Sequence, residues 1–390
     1  MLVLGCFLLA IADGQQVSPG VSNSTPEHWK ETGWWPTKGT AARSEFAGAE
    51  TCAQCHAGIA ESQRKTPMFS AASRPSSSPL LEHHTRLPFS DSAYDYLLLR
   101  DSAGFSFSVS DKSGTITAPI DWAFGTGEVA QTYILKREGI FLESRLSYYT
   151  GPMVLGITPG HQEAAPASLS DAIGDPIEDA TLPRCFGCHS TASTVSGTFD
   201  ADHAVLGVTC EACHGPGTAH VAAMRSGKVG LASATIFSAT RLSPVNSVDF
   251  CGACHRTPAD VAGYMPANMG IANIRFQPYR LERSLCWGDG RDARITCVAC
   301  HDPHQPLVRD SAAYDSKCLK CHAATGTGPS LTNQANGPGA PRVQTLQPGC
   351  KVASTSCTSC HMRKYDLPAV HGAFTDHYIR VVAADAPFRR

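Results

Sequence analysis

The clearest hydrophobic pattern in the chain is an alternation. Phe105, Phe107 and Val109 alternate with Ser106, Ser108 and Ser110, the two-residue period of a strand with one buried face. Thr115 to Ile120 reads as a further short strand. Tyr133 to Leu135 and Ile140 to Leu142, joined through Arg137-Glu138-Gly139, read as a hairpin. Together these segments predict a small antiparallel β module over residues 80–155. Residues 13–48 are polar and rich in Pro, Gly and Thr, which predicts extended chain. Thr325 to Pro348 is rich in Gly, Pro, Gln and Asn and reads as a surface loop. Between residues 185 and 361 the punctuation is dense, as at Gly215, Pro216, Gly217 and Pro303, and predicts short helices and turns. Leu2 to Ile11 is apolar and is followed by Ala10-Ile11-Ala12, a small-residue cleavage pattern, so residues 1–12 read as a signal peptide. No Lys or Arg precedes that run, which suggests a truncated segment. No apolar run approaches the 18 residues that a membrane-spanning helix needs, so an integral membrane protein is not expected.

Composition narrows the class. The chain has 390 residues, 42% of them hydrophobic and 17% charged, with a formal net charge of −2. That balance excludes a strongly basic nucleic-acid binder and a disordered acidic tail. The 17 cysteines are too many for an ordinary cytosolic enzyme, and the chain is too long for a small disulfide scaffold. Their spacing decides the matter. Seven copies of C-x-x-C-H occur: Cys52, Cys55, His56; Cys185, Cys188, His189; Cys210, Cys213, His214; Cys251, Cys254, His255; Cys297, Cys300, His301; Cys318, Cys321, His322; and Cys357, Cys360, His361. C-x-x-C-H is the attachment pattern of a c-type haem. Two thiols three positions apart can each form a thioether to one porphyrin, and the following His supplies the proximal imidazole to the iron. A thioredoxin-like pair needs one C-x-x-C and no His. Zinc ribbons and disulfides give no reason for a His after every second Cys. The expected cofactors are therefore seven c-type haems. The first motif stands apart from the other six, which crowd residues 185–361 too closely for a conventional side-chain core. The expected fold class is a mainly irregular or α multihaem cytochrome, with short helices wrapped round haems plus the small β module. The expected organisation is an N-terminal segment with the first haem (13–79), the haem-free β module (80–155) and a six-haem domain (156–390).

The sixth ligand separates carrier from catalyst. An iron with two protein ligands exchanges electrons, whereas one with an open position can bind substrate. Nine of the 16 histidines lie outside the motifs. His220 follows His214 in C-H-G-P-G-T-A-H, and His304 follows His301 in C-H-D-P-H. His203 lies seven residues before Cys210, His161 follows Pro159-Gly160, and His371 and His377 follow the seventh motif. These six are the candidate distal ligands. His83, His84 and His28 are weaker candidates by position.

C-H-G-P-G-x-x-H, C-H-D-P-H and a terminal C-H-M followed by H-x-A-F-T-D-H resemble the exported multihaem c-type cytochromes. That family is related to the tetrahaem electron carrier of ammonia oxidisers and, more distantly, to multihaem nitrite reductase and hydroxylamine oxidoreductase. The resemblance covers roughly residues 48 to 385. In such proteins a distal His often follows the first motif by twelve residues, and Met68 stands there in this chain. The resemblance thus implies His/Met ligation of the first haem. The sequence departs from the nitrite reductases, whose catalytic haem carries Lys in place of the motif His, because it contains no C-x-x-C-K.

Cys286 and Cys350 remain and are a candidate disulfide in an oxidising compartment. Arg275, Arg280, Arg283, Arg291 and Arg294 cluster before the fifth motif and read either as partners for haem propionates or as a solvated face. The expected function is periplasmic or extracellular electron transfer through a chain of seven haems. The expected partners are redox proteins, namely a donor on the quinol side of the cytoplasmic membrane and a periplasmic or outer-membrane acceptor. No nucleic-acid partner is expected, and an oligomer is compatible with the sequence. No catalytic residue stands out. The alternatives are an oxidoreductase acting on a small nitrogen or sulfur compound at one five-coordinate haem, and a subunit of an extracellular cytochrome filament.

Overall fold

The computed structural model describes residues 41–390, apart from 92, 180, 196–197, 265–269, 289–291, 293, 323–352, 354, 384–385 and 390. The expected signal peptide, His28, the loop from Thr325 to Pro348, Arg291 and Cys350 lie outside the described residues.

The largest element is a ten-stranded antiparallel sheet. Its strands are β1 (Ala72–Ser73), β2 (Arg86–Ser90), β3 (Asp95–Asp101), β4 (Gly104–Asp111), β5 (Gly114–Phe124), β6 (Ala130–Arg137), β7 (Ile140–Ser144), β8 (Leu146–Tyr149), β9 (Val154–Ile157) and β10 (Gly174–Pro176). The order across the sheet is β10-β7-β6-β5-β4-β3-β2, with β1 on β5, β8 on β6 and β9 on β8. This corrects the expected fold class. The protein is not a mainly irregular or α chain with a small β module, because an extensive antiparallel sheet forms its frame. The reason lies in burial. Alternation marks a strand only when one face meets water. β4 shows it, with Phe105, Phe107 and Val109 turned inward. All four residues of β8 are buried, as are Tyr133, Ile134 and Leu135 in succession on β6, so these segments carry no period-two signal.

The hairpin over residues 133–142 forms in the register Leu135↔Leu142 and Arg137↔Ile140. Glu138 and Gly139 both have positive φ, 52° and 83°, as a two-residue type I′ turn requires.

The two faces of the sheet serve different purposes. One buries a continuous cluster that includes Tyr96, Leu98, Phe107, Val109, Ile120, Tyr133, Leu135, Leu146, Tyr148 and Ile173. A break in register between Ile120 and Trp122 on β5 reverses the pleat, as β-bulges do. Ile120 and Ala123 therefore join that cluster, whereas Trp122 and Phe124 turn to the other face. There they meet Leu182 and Phe186 of the helix Leu182–His189, which carries the second C-x-x-C-H motif. Phe186 packs edge-on against Trp122 and Phe124, each at 5.2 Å between ring centroids.

The rest of the described chain is built from short helices and three two-stranded sheets, and its apolar clusters are small. Phe250 and Ala253 form one, and Val248, Leu281 and Trp287 form another. Among the described residues, no helix is long and apolar enough to cross a membrane.

Candidate functional site

Every C-x-x-C-H motif lies on a short helix or at its end. The helices are Ala49–Ala53, Leu182–His189, Cys210–His214, Pro244–His255, Cys297–Cys300, Asp315–His322 and Cys357–His361. Helical spacing is what the chemistry needs. Residues i, i+3 and i+4 share one face, so both thiols and the imidazole of a motif point the same way. Two of the longer helices have clear start signals. Ser243 caps Pro244–His255 by accepting from the Asn246 N–H at 3.2 Å, and Pro244 fills the first turn. Leu182–His189 also carries Pro in its first turn, where the missing N–H has no helical partner to lose.

These helices surround a single cavity of about 5000 Å³. All seven motif histidines line it, together with thiols from every motif. A pocket for one drug-sized ligand measures about 300–1,000 Å³, so this cavity has room for several bulky groups. Its wall fits porphyrins. Leu285, Val298, Leu307, Val308 and Val381 line the cavity and leave half or more of their surface exposed. Apolar side chains concentrated on the wall of one void await an apolar occupant.

The imidazoles are prepared in the same sense. The Nδ1–H of His189 donates to the Ala71 carbonyl at 2.8 Å, that of His214 to Phe237 at 3.0 Å and that of His361 to Arg380 at 3.1 Å. His220 donates to Ala232 at 2.9 Å and His377 to Thr375 at 3.1 Å. A carbonyl can only accept, so each bond places the proton on Nδ1 and leaves the Nε2 lone pair for a metal, as second-shell partners of ligating histidines do. Burial, followed by the neighbouring His301, pushes His377 down to about 4, which keeps it neutral, the form that binds iron. Burial also lowers His301. Phe124 stacks on His189 at 4.7 Å with an interplanar angle of 5°, so the sheet directly orients the second motif.

The motifs meet in an order that differs from the chain's. The thiols of Cys52 and Cys210 are in hydrogen-bonding contact, which joins the first motif to the third. Cys251 and Cys297 join the fourth to the fifth, and Cys318 and Cys357 join the sixth to the seventh. The Cys188 thiol donates to the Ala253 carbonyl at 3.6 Å, which ties the second motif to the fourth.

Buried carboxylates, which the sequence reading did not single out, clip these pairs together. Glu211, inside the third motif, accepts from the N–H groups of Ala47, Gly48 and Gly217 at 2.7–2.9 Å and so holds the start of the first-motif helix. Asp315 accepts from Ser356 at 2.6 Å and Cys357 at 2.8 Å and so holds the seventh motif beside the sixth. These bonds keep its carboxyl below the usual range. Asp376 is fully buried and receives two hydrogen bonds from Arg280, at 2.8 and 2.9 Å, and one from Arg380 at 2.7 Å. Of the arginine cluster, Arg280 is thus committed to Asp376. Arg283 donates to Tyr279, and Arg294 pairs with Asp292.

The distal-ligand candidates fall into two groups. Met68, His220, His304 and His377 line the cavity. His161 lies elsewhere: its buried ring sits between Glu143 and Asp175, with 3.3 Å from a ring nitrogen to each carboxylate. His203 is exposed and bonded to Asp200 at 2.9 Å. His371 is exposed, and its ring packs on Tyr149 at 4.7 Å. Cys286 is partly buried.

Residues 160–215 match the family model described as "Cytochrome c554 and c-prime". This stretch holds the second and third motifs and is similar to a c-type cytochrome. None of the curated proteins matches the chain. Among solved structures, that of "Outer Cell Wall Cytochrome OcwA" is similar at 16% identity and a TM-score of 0.48, over 87% of this chain and 80% of that one.

Proposed function

We propose that this protein is an exported electron carrier that holds seven c-type haems in one connected array. The observation that carries the reading is the single cavity onto which all seven motif histidines open. Cys52 and Cys55, Cys185 and Cys188, Cys210 and Cys213, Cys251 and Cys254, Cys297 and Cys300, Cys318 and Cys321, and Cys357 and Cys360 would form the thioethers. His56, His189, His214, His255, His301, His322 and His361 would be the proximal ligands. The haems supply one-electron chemistry at iron. The chain's part is to fix their spacing through the carboxylate clips, to hold the imidazoles in the ligating tautomer and to exclude water with an apolar wall. Donor and acceptor would be redox proteins on the two sides of a periplasmic or extracellular route.

The test is a haem count. The protein is produced with c-type haem maturation and measured by intact mass and by absorbance after denaturation in pyridine. Seven covalent haems, reduced and reoxidised reversibly, are expected. A protein that matures without covalent haem would overturn the proposal.

A second reading has a specific observation behind it. Among the described residues, only four of the seven distal candidates line the cavity. An iron without a distal ligand binds small molecules, which favours an oxidoreductase or sensor role at that position. Carbon monoxide titration of the reduced protein counts such irons, and no bound carbon monoxide would exclude this reading.

A further inference from the structure

Two pairs of cavity histidines stand at a separation that neither stacking nor hydrogen bonding explains. The rings of His214 and His304 are 6.1 Å apart between centroids and nearly parallel, at 7°. Those of His301 and His377 are 6.2 Å apart at 43°. These distances exceed ring stacking contact. They match two imidazoles on opposite sides of one metal. With metal–nitrogen bonds of about 2.0 Å and about 1.1 Å from each nitrogen to its ring centre, the centroids of such a pair lie about 6 Å apart.

The outer nitrogens agree with this. Nδ1 of His214 donates to the Phe237 carbonyl, and Nδ1 of His304 lies 3.2 Å from Asp302. Nδ1 of His301 lies 3.5 Å from the Tyr314 hydroxyl, and Nδ1 of His377 donates to the Thr375 carbonyl. In all four rings the second nitrogen, Nε2, is left for a ligand. His377 is anchored by its neighbour: Asp376 is clamped by Arg280 and Arg380, which fixes the backbone from which His377 projects.

We infer that His304 is the sixth ligand of the iron carried by Cys210 and Cys213, and that His377 is the sixth ligand of the iron carried by Cys297 and Cys300. The inference rests on the proposed haem-binding function and deepens it. It says that neither residue serves the motif it follows in the chain. His301 and His304, separated by Asp302 and Pro303, would ligate two different irons. The chain itself then bridges the third and fifth haems, and the C-terminal segment straps the fifth.

The test uses the matured holoprotein. His304→Ala and His377→Ala are each expected to convert one low-spin ferric iron to high-spin by electron paramagnetic resonance, with added imidazole restoring the low-spin signal. His304→Met and His377→Met keep a ligand in place and are expected to stay low-spin with one haem shifted to higher potential. The pairing is read by combination. In the six-haem protein Cys210→Ala/Cys213→Ala, a further His304→Ala change is expected to create no additional high-spin iron, whereas His377→Ala still creates one. If that six-haem protein does not mature, a crystal structure of the wild-type holoprotein gives the same assignment directly, by which iron Nε2 of His304 binds. An unchanged spin state in both alanine variants, or His304 bound to another iron, overturns the pairing while leaving a seven-haem count intact. Absence of covalent haem would instead overturn the functional reading beneath it.

Discussion

The sheet and the motif-bearing region are stabilised by different materials. From β1 to β10 the chain provides its own core, an unbroken cluster of aromatic and aliphatic side chains with tyrosines and leucines at full burial. From residue 182 onward the described chain supplies mostly short helices, small two-stranded sheets, apolar clusters with few buried side chains, and a void of about 5000 Å³. Helices shorter than about 12 residues are marginal unless packing holds them. Under the proposed function, haem would do for the second region what side chains do for the first.

Withholding the cofactor should separate the two regions most strongly. Produced without haem attachment, the protein is expected to lose amide protection throughout the motif helices while strands β3 to β6 stay protected. Hydrogen exchange read by mass spectrometry checks this. Motif helices as well protected as in the matured protein would show that side chains alone suffice.

The seam between the regions comes next. Trp122 and Phe186 join the sheet to the second motif across the reversed pleat of β5. Trp122→Ala is expected to destabilise the protein by about 3–5 kcal/mol, the usual range for a buried aromatic. Denaturant unfolding of the matured protein measures it. A loss near that of a surface substitution would mean that the sheet and the motif region are not coupled there.

What the sequence revealed follows the range of each interaction. The motif thiols and imidazoles were legible because their geometry is local, set within one turn of helix. β4 was legible because its serines face outward while Phe105, Phe107 and Val109 face in. β8 was not, because Leu146 to Tyr149 are buried on both sides. His161 shows the limit well. Its place after Pro159-Gly160 suggested a ligand, yet its ring lies between Glu143 and Asp175, which come opposite each other only when β10 pairs with β7. Glu211 is an intervening residue of a C-x-x-C-H motif, where residue type is usually free, and its three bonds to chain segments on either side appear only in the fold.

Glu211 therefore offers a smaller, more specific test of how the motif region is held. Its carboxylate accepts from the N–H groups of Ala47 and Gly48 as well as its own segment's Gly217. Glu211→Gln keeps the shape but removes the charge that strengthens these bonds, at an expected cost of about 1.5–3 kcal/mol, the range for hydrogen bonds to charged groups. The first haem should respond most, since the start of its helix is what is released. A shifted potential confined to one haem in a redox titration is the expected signature, and a uniform shift across all haems would argue against a local clip.

pH separates the two regions as well. Burial, reinforced by the nearby Asp249, raises the carboxyl of Glu282 to about 7, in the same small cluster region as Leu281 and Trp287. A carboxyl whose folded pKa exceeds its unfolded value near 4.5 binds its proton more tightly in the folded state. Its contribution to stability is full below about pH 4.5 and is lost as pH rises towards 7. Glu282→Gln should remove that decline, leaving stability at pH 4 little changed and raising it at pH 8. In hydrogen exchange the gain should appear in the helices around Leu281 and Trp287 and be absent from strands β3 to β6, because the energetic cost of the ionised Glu282 falls on the region that lacks a side-chain core of its own. An equal gain in the sheet would mean that the two regions unfold as one unit and that their different materials do not give them separate stabilities.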